Sequence, residues 1–255
     1  MGLAFLKITP PVNSVLNVSA YRFTDIVDPE ALRALLHERA LALGLRGTIL
    51  LAKEGINLFV AAEEHAVRDF LAMLRRDERF AGMDVKESWS AAQPFRKLLV
   101  KVKREIIRMN HPAVQPARGR APALDAQTAK RWLDQGHDDA GRPVVTLDTR
   151  NAFEVDYGTF EGAIDWRLNK FSDFPAALEA HKRELEGKTV ISFCTGGIRC
   201  EKAAIVMREA GLADVWQLEG GILNYLAQAG SAHWRGTCFV FDEREALNAD
   251  LSPRS

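Results

Sequence analysis

The 255-residue sequence predicts an α/β protein built from two domains. Three observations lead to this prediction. Strand-like and helix-like runs alternate in an α+β order at the start, a basic, proline-punctuated junction follows, and apolar strands then alternate with helices as in parallel sheets. The expected organisation is a first domain over 1–108, a linker over 109–123, a second domain over 124–241 and a C-terminal tail over 242–255.

The first domain is expected to open with a strand over Val15–Phe23. Asp28-Pro29-Glu30 then starts a helix, because Asp is a favoured N-cap, Pro fits the first turn and Glu complements the helix dipole. Gly44 is a typical helix end. The further elements predicted are strands at Thr48–Ala52 and Ile56–Ala61, a helix at Glu63–Arg76, and strands at Val85–Trp89 and Leu98–Val102. This β-α-β-β-α-β order predicts a ferredoxin-like α+β sandwich.

The corner Lys53-Glu54-Gly55-Ile56-Asn57 lies between two of these strands. It is interpreted either as a loop that contacts a ligand or as a hairpin turn that requires Gly55 for a positive φ. The residues themselves favour neither interpretation decisively.

The protein has 34 basic and 34 acidic residues, so attraction to a polyanion has to come from a local patch. Such a patch lies between residues 96 and 120, where eight basic residues stand against one acid. The side chains predicted to contact RNA phosphates are Lys97, Lys101, Lys103, Arg104 and Arg108. The alternative is a solvated sheet face or a charged strand edge that prevents aggregation.

The second domain is expected to begin with a helix that Asp125 caps and that runs through Leu133. The segments that follow alternate between strand-like and helix-like character: Val144–Leu147, Ala152–Asp156, Ala176–Leu185, Thr189–Phe193, Ala203–Ala210, Val215–Leu218 and Ile222–Ala227. This alternation predicts a parallel sheet flanked by helices, in which ligands bind beyond the carboxyl ends of the strands. Asp148 and Cys194 both fall at such ends.

The stretch Cys194-Thr195-Gly196-Gly197-Ile198-Arg199-Cys200 joins a predicted strand to a helix. Backbone N–H groups of such a loop, the helix N-terminus and a cationic side chain all favour a thiolate. Cys194 is therefore predicted to be the nucleophile and Arg199 its stabilising cation. The remaining loop residues, Thr195, Gly196, Gly197 and Ile198, are expected to line the active site. The alternative for Cys194 is a buried residue at a strand end.

Cys200 has two interpretations, as a resolving thiol for an oxidised or persulfurated Cys194 or as a residue packed between helix and sheet. Asp148 and Arg150 are expected to form an ion pair in the pocket wall, with a purely structural link between strand and helix as the alternative. Cys238, in an apolar run, is expected in the core.

Several classes of protein are not predicted. Three cysteines favour a reducing compartment, the run Met1–Lys7 is too short for a signal peptide, and no segment reaches membrane-spanning length. The six histidines lack metal-ligand spacing, and no nucleotide-binding glycine motif occurs. The sequence thus predicts a soluble cytoplasmic protein with no metal and no nucleotide cofactor.

The second domain resembles a rhodanese domain. The motifs that carry the resemblance are Asp148-Thr149-Arg150, Phe153-Glu154, Glu161-Gly162-Ala163-Ile164, the loop that starts at Cys194, and Leu218-Glu219-Gly220-Gly221-Ile222. The Cys-x4-Arg loop is one residue shorter than the Cys-x5-Arg loop of cysteine phosphatases. A smaller ring of N–H groups favours sulfur or a small group over phosphate.

The whole chain resembles the oxygen-dependent tRNA uridine(34) hydroxylases. This resemblance rests on Lys53–Asn57, Lys97–Ile106, Phe193–Lys202 and Cys238–Arg244, and it covers about residues 14 to 245. It implies a tRNA substrate, 5-hydroxyuridine at the wobble position as product, molecular oxygen as co-substrate, no known metal or organic cofactor, and an essential cysteine at Cys194. A thiosulfate or persulfide sulfurtransferase and a noncatalytic RNA- or protein-binding module are the alternatives. The sequence does not indicate an oligomeric state.

Overall fold

The computed structural model describes residues 14–111 and 113–254. Within them lie two five-stranded sheets, one in each half of the chain. The run Met1–Lys7, which we predict not to be a signal peptide, lies outside the described residues. Across the described ranges, no helix combines the length and apolarity needed to cross a membrane.

The N-terminal sheet has one face covered by helices and one open face. Its elements are β1 (Val15–Phe23), α1 (Pro29–Ala42), β2 (Arg46–Ala52), β3 (Gly55–Ala62), α2 (Glu64–Arg75), β4 (Val85–Ser90) and β5 (Leu98–Val102). The strand order is β4-β1-β3-β2-β5, and β5 runs parallel to β2 at the edge. Apolar residues of both helices, such as Leu36 and Phe70, pack on Leu16, Val18 and Ile49. The predicted α+β sandwich is confirmed, and β5 extends it by an edge strand.

The β2–β3 turn requires a glycine at its second corner. Gly55 has a φ of 147°, and a Cβ atom on it would lie 2.1 Å from the carbonyl oxygen of Arg22. No other residue fits between β3 and β1 at this point without moving the backbone. The hairpin interpretation therefore accounts for Gly55, whereas the Glu54 carboxylate accepts a hydrogen bond from Lys202 in the second domain.

The second domain contains a parallel sheet with helices on both faces. Its elements are β6 (Ala123–Leu124), α3 (Ala126–Gln135), β7 (Val144–Asp148), α4 (Ala152–Val155), β8 (Gly158–Phe160), β9 (Ile164–Asp165), α5 (Phe174–His181), β10 (Thr189–Phe193), α6 (Ile198–Glu209), β11 (Val215–Leu218), α7 (Gly221–Ala229), β12 (Trp234–Gly236), β13 (Cys238–Phe239) and β14 (Ala246–Leu247). The main sheet has the order β6-β11-β10-β7-β9. The carboxyl ends of β7 and β10 therefore meet at one edge of the sheet, as predicted.

Two features of this domain differ from the sequence prediction. Helix α6 begins at Ile198 instead of Ala203, so its first turn follows the glycine loop directly. The strands β6, β8, β9, β12, β13 and β14 have two or three residues each, too few to show a periodic pattern.

Candidate active site

The loop after β10 places Cys194 at the bottom of a cleft, next to the first turn of α6. Gly197 has a φ of 98°, a conformation that favours glycine, and its N–H group donates to the Cys194 sulfur at 3.2 Å. The Cys194 side chain is fully buried, with a relative exposure of 0%. Strand end, glycine loop and helix start thus occur in the predicted order around this thiol.

The surroundings of Cys194 favour the thiolate. Burial alone raises the pKa of its thiol, but a hydrogen bond from Cys200, the charge of Arg199 and the N–H groups of Arg199 and Gly197 outweigh it and lower the pKa to about 5. At neutral pH the side chain is therefore an anion, ready to act as a nucleophile.

Arg199 is held by Glu154, a carboxylate that the sequence showed only as part of a motif. Two guanidinium nitrogens of Arg199 donate to the two carboxylate oxygens at 2.5 and 2.7 Å, and both side chains are buried. The backbone N–H of Asn151 adds a hydrogen bond to Glu154 at 3.1 Å. The remaining guanidinium nitrogen, Nε, is buried with no hydrogen-bond partner in the described structure. Glu154 thus fixes the orientation in which Arg199 faces the thiolate.

Cys200 lies in the first turn of α6, buried between helix and sheet. Its sulfur is 3.7 Å from the Thr149 hydroxyl. Burial, followed by the hydrogen bond with Cys194, raises the pKa of the Cys200 thiol well above its usual value. Cys200 therefore keeps its proton and donates it in a hydrogen bond to Cys194.

The start of α7 packs against the Cys194 loop through backbone hydrogen bonds. The N–H groups of Ile222 and Leu223 donate to the carbonyl oxygens of Cys194 and Thr195 at 2.9 and 3.1 Å. A Cβ atom on Gly221 would lie 2.4 Å from the Cys194 carbonyl oxygen. Gly221 is thus required for this close approach, a role that the sequence alone did not reveal.

Asp148 and Arg150 form the expected ion pair, but they lie behind the cleft. Two guanidinium nitrogens of Arg150 donate to the Asp148 carboxylate at 2.9 and 2.6 Å, and both side chains are fully buried. Arg150 also donates to the Gly158 carbonyl oxygen at 2.6 Å, and Thr159 donates to Asp148 at 2.9 Å. Neither side chain belongs to the cleft lining. The pair links strands and helix, and it supports the site indirectly instead of forming the pocket wall.

The Cys194 loop and the open face of the N-terminal sheet both line a cleft of about 2000 Å³. Pockets for small molecules measure about 300–1,000 Å³, so this space fits a segment of a macromolecule. Cys194, Thr195, Gly196, Ile198 and Arg199 line one side, and residues of β1 to β4 line the other.

Strands β1 and β4 bring three N-terminal side chains close to the loop, none of which we predict from the sequence. Ser19 Oγ and the Tyr21 hydroxyl lie 3.7 and 3.0 Å from where Cβ atoms on Gly196 and Gly197 would stand. The Lys86 ammonium of β4 lies over the Tyr21 ring, 5.1 Å from its centroid. Burial, together with the negative charges of Glu201 and Cys194, raises the pKa of Tyr21 well above its usual value. Tyr21 therefore remains a neutral hydrogen-bond donor.

Helix α6 also contacts the N-terminal domain, through hydrogen bonds of Glu201 and Lys202. Tyr21 donates to Glu201 at 3.0 Å, and Arg120 donates to the same carboxylate at 2.8 Å. The Lys202 ammonium, 1% exposed, donates to Glu54 at 3.0 Å and to Glu105 at 2.7 Å. The corner at Glu54 is thus a contact between domains, an interpretation that the sequence did not suggest.

The five predicted RNA-binding cations separate into two groups. Lys103, Arg104 and Arg108 are exposed and line the cleft, whereas Lys97 and Lys101 are exposed on or beside the edge strand β5 and are outside the lining. In the described structure, the ion pairs of the junction are Arg96 with Glu243, Arg120 with Glu201 and Glu219, and Glu105 with Lys202. Among the described residues, the three cations in the cleft therefore have no carboxylate partner.

The aromatic residues divide between the cleft and the interior, and the third cysteine, Cys238, lies in the core. Trp89 and Phe95 line the cleft, as do Phe59 and Phe241. Trp216 packs instead on Trp132, with ring centroids 5.5 Å apart. Cys238 is fully buried in the core, and burial raises the pKa of its thiol to about 12. In the ranges that the structure describes, no three His, Cys, Asp or Glu side chains converge as metal ligands.

Two family models match the two halves of the chain. The UPF0176 acylphosphatase like domain matches residues 15–106, and the rhodanese-like domain matches residues 125–228. The solution structure of a rhodanese-like domain from Anabaena is 21% identical, with a TM-score of 0.37, and the match covers 46% of this chain and 80% of that one. The fold and the loop define a rhodanese-domain protein with an added N-terminal module.

Two curated relatives cover nearly the whole chain. A tRNA uridine(34) hydroxylase of Variovorax paradoxus is 65% identical over 96% of this chain and 93% of its own length. The protein of the same name from Delftia acidovorans is 61% identical over 94% and 92%. The chain belongs to the tRNA uridine(34) hydroxylase family. These relatives favour the hydroxylase over the sulfurtransferase and noncatalytic alternatives.

Proposed function

We infer that this protein is a tRNA modification enzyme that hydroxylates the wobble uridine, at position 34. The observation that supports it most directly is a buried cysteine thiolate facing a cleft large enough for RNA. Exposed cations line that cleft, as phosphate binding requires. The names of the relatives supply the reaction: hydroxylation of uridine 34 in tRNA.

We propose that Cys194 acts on the uracil ring as a carbon-directed nucleophile. Its thiolate adds to C6, a C6–S bond forms, and the π electrons move through C5 and C4 onto O4. The resulting enolate attacks molecular oxygen through C5 and forms a C5 hydroperoxide. Two equivalents of a small thiol reduce this hydroperoxide to the C5 alcohol, with release of water and formation of a disulfide. Loss of the C5 proton then expels the Cys194 thiolate from C6 and restores the C5–C6 double bond. Arg199 and the loop N–H groups stabilise the thiolate before addition. A persulfide on Cys194 is the competing intermediate.

The proposal includes molecular oxygen as the second substrate and neither a metal nor an organic cofactor. Because its substrate is tRNA, we also propose that the protein acts in the cytoplasm. The oxygen requirement and the location both follow from the proposed reaction.

Replacement of the thiol tests the proposal. In a strain without the chromosomal gene, Cys194→Ser is expected to abolish 5-hydroxyuridine in tRNA, because a hydroxyl is a far weaker nucleophile at neutral pH. The measurement is mass spectrometry of nucleosides from purified tRNA. Cys238→Ala is the matched control, since it removes a buried thiol outside the loop and is expected to retain the product. Undiminished 5-hydroxyuridine with Cys194→Ser would eliminate the thiol mechanism.

The cations in the cleft give a second test, on substrate binding. Substitution of Lys103, Arg104 and Arg108 by Ala is expected to weaken tRNA binding and to reduce the slope of log K against log salt by up to about one unit for each phosphate that is no longer bound. Titrations at several salt concentrations measure this slope. Arg183→Ala removes an exposed cation outside the cleft and is expected to leave it unchanged. An unaltered slope in the triple variant would contradict the assignment.

A further inference from the structure

The open face of the N-terminal sheet carries a continuous row of side chains that the proposed reaction does not use. Neighbouring strands pair Lys86 with Ser19, Ser19 with Phe59, and Phe59 with Thr48. All four residues line the cleft. Side chains directly opposite each other on one sheet face have Cβ atoms about 4.5–5.5 Å apart. The row therefore crosses four strands as one surface.

The two faces of this sheet differ in composition. The opposite face of the same strands is apolar and packs on α1 and α2. The open face instead carries the Ser19 and Thr48 hydroxyl groups and a central aromatic ring. The amides of Asn17 and Asn57, beside the row, are buried and donate to the Ser90 hydroxyl and the Ile106 carbonyl oxygen. Unpaired RNA bases are recognised by a combination of polar groups and an aromatic ring, through stacking on the ring and hydrogen bonds to base edges.

The row passes next to the Cys194 loop at Ser19. Ser19 lies against Gly196 of the Cys194 loop, with 3.7 Å between its hydroxyl and the position of a Cβ atom. Phe59 is the next residue across the sheet, about one strand spacing farther. Phe241, with a side chain that is 49% exposed, packs on Phe59 at a centroid distance of 6.4 Å and supports its ring from the side.

We propose that this row binds the anticodon nucleotides: Phe59 stacks on the base next to uridine 34, and Lys86 binds the adjoining backbone phosphate. The inference rests on the proposed function for the identity of the RNA. A nucleotide anchored on Phe59 leaves its neighbour within reach of the Cys194 loop. The sheet thereby determines which base is presented to the thiolate.

Binding of an anticodon stem-loop RNA to full-length protein carrying Cys194→Ser tests this without turnover. Phe59→Ala is expected to raise the Kd by about 5- to 150-fold, as for loss of one base–aromatic stack. Phe59→Trp keeps a stacking ring and is expected to stay within about threefold of the unaltered side chain. Leu41→Ala is the control, because Leu41 is 62% exposed on α1 and outside the cleft lining, and the Kd is expected not to change.

RNAs with an abasic nucleotide at position 33 or 35 show whether Phe59→Ala weakens binding through loss of a stacked base or through a change in the protein structure. If Phe59 stacks on one of these bases, Phe59→Ala has no further effect on the RNA that lacks it. Equal weakening of the intact and both abasic RNAs, or no weakening at all, would overturn the inference. Phe59→Leu, which keeps apolar bulk without a planar ring, serves the same comparison if Phe59→Ala does not fold.

Failure of the proposed anticodon surface and failure of the proposed reaction give different experimental results. Stem-loop binding that depends on Phe59, in a protein whose parent forms no 5-hydroxyuridine, would contradict the reaction alone. Formation of 5-hydroxyuridine with binding that ignores Phe59 would contradict the anticodon surface alone.

Discussion

Arg199→Met is expected to slow formation of 5-hydroxyuridine by about 10²–10³-fold, the usual effect of removing one preorganised stabilising group. Burial raises the pKa of the Cys194 thiol, and the Arg199 charge is among the groups that oppose burial and bring that pKa to about 5. Without the guanidinium the pKa rises, so the acidic limb of the pH–rate profile moves to higher pH. Single-turnover rates across pH, together with the pH dependence of Cys194 alkylation, measure both effects.

A second substitution, at Glu154, the carboxylate that pairs with Arg199, serves as the control for Arg199→Met. Arg199→Met leaves Glu154 buried without a cation, which destabilises a fold by about 3–5 kcal/mol. The double variant with Glu154→Gln removes that charge and is expected to regain most of the stability but not the rate. An alkylation midpoint that stays near pH 5 in Arg199→Met would contradict the role assigned to the guanidinium.

Lys202→Met is expected to loosen the contact between the two domains. It removes an ammonium that lies between Glu54 and Glu105 and leaves two carboxylates facing each other. Because both carboxylates can reach water, we expect a loss of about 3 kcal/mol, at the lower end of values for broken buried pairs. The hydroxylation rate is expected to fall by about 10-fold or more, since a small misplacement of the N-terminal sheet disturbs substrate positioning.

Thermal unfolding and single-turnover rates measure the effect of Lys202→Met. Lys188→Met is the matched control, because the Lys188 ammonium donates to the Glu184 carbonyl oxygen within its own domain. It is expected to change neither quantity. A Lys202→Met protein with unaltered Tm and rate would show that other contacts hold the domains.

The same contact predicts a pH dependence of stability. Burial raises the pKa of Glu105, but the hydrogen bond and charge of Lys202 and two backbone N–H groups lower it below the value of 4.5 for a free side chain. The carboxylate therefore contributes stability above about pH 4.5, and this contribution is lost as the pH falls through the lower folded pKa. Lys202→Met is expected to flatten the decline of Tm as the pH falls below about 4.5, because the folded pKa of Glu105 returns toward the unfolded one.

Local patterns were sufficient to predict most elements of secondary structure. Strand β1, strand β5 and strand β10 occur with the predicted bounds, because each is a run of apolar residues flanked by polar or turn residues. Helix α6 was predicted too short at its start, because Arg199, Cys200, Glu201 and Lys202 have the polar character of a loop. All four are buried in the structure by contacts with other segments.

The sequence by itself indicated the candidate nucleophile, the glycine loop around it, the order of the longer elements and the family, since each depends on residues that are neighbours in the chain. Only the tertiary structure decided which side chains face Cys194. Tyr21 and Glu201 are 180 positions apart, yet they form a hydrogen bond. Long-range contacts leave no periodic trace in either segment, so Tyr21, Lys86, Phe59 and the Glu54–Lys202 contact became visible only when the two domains were packed together.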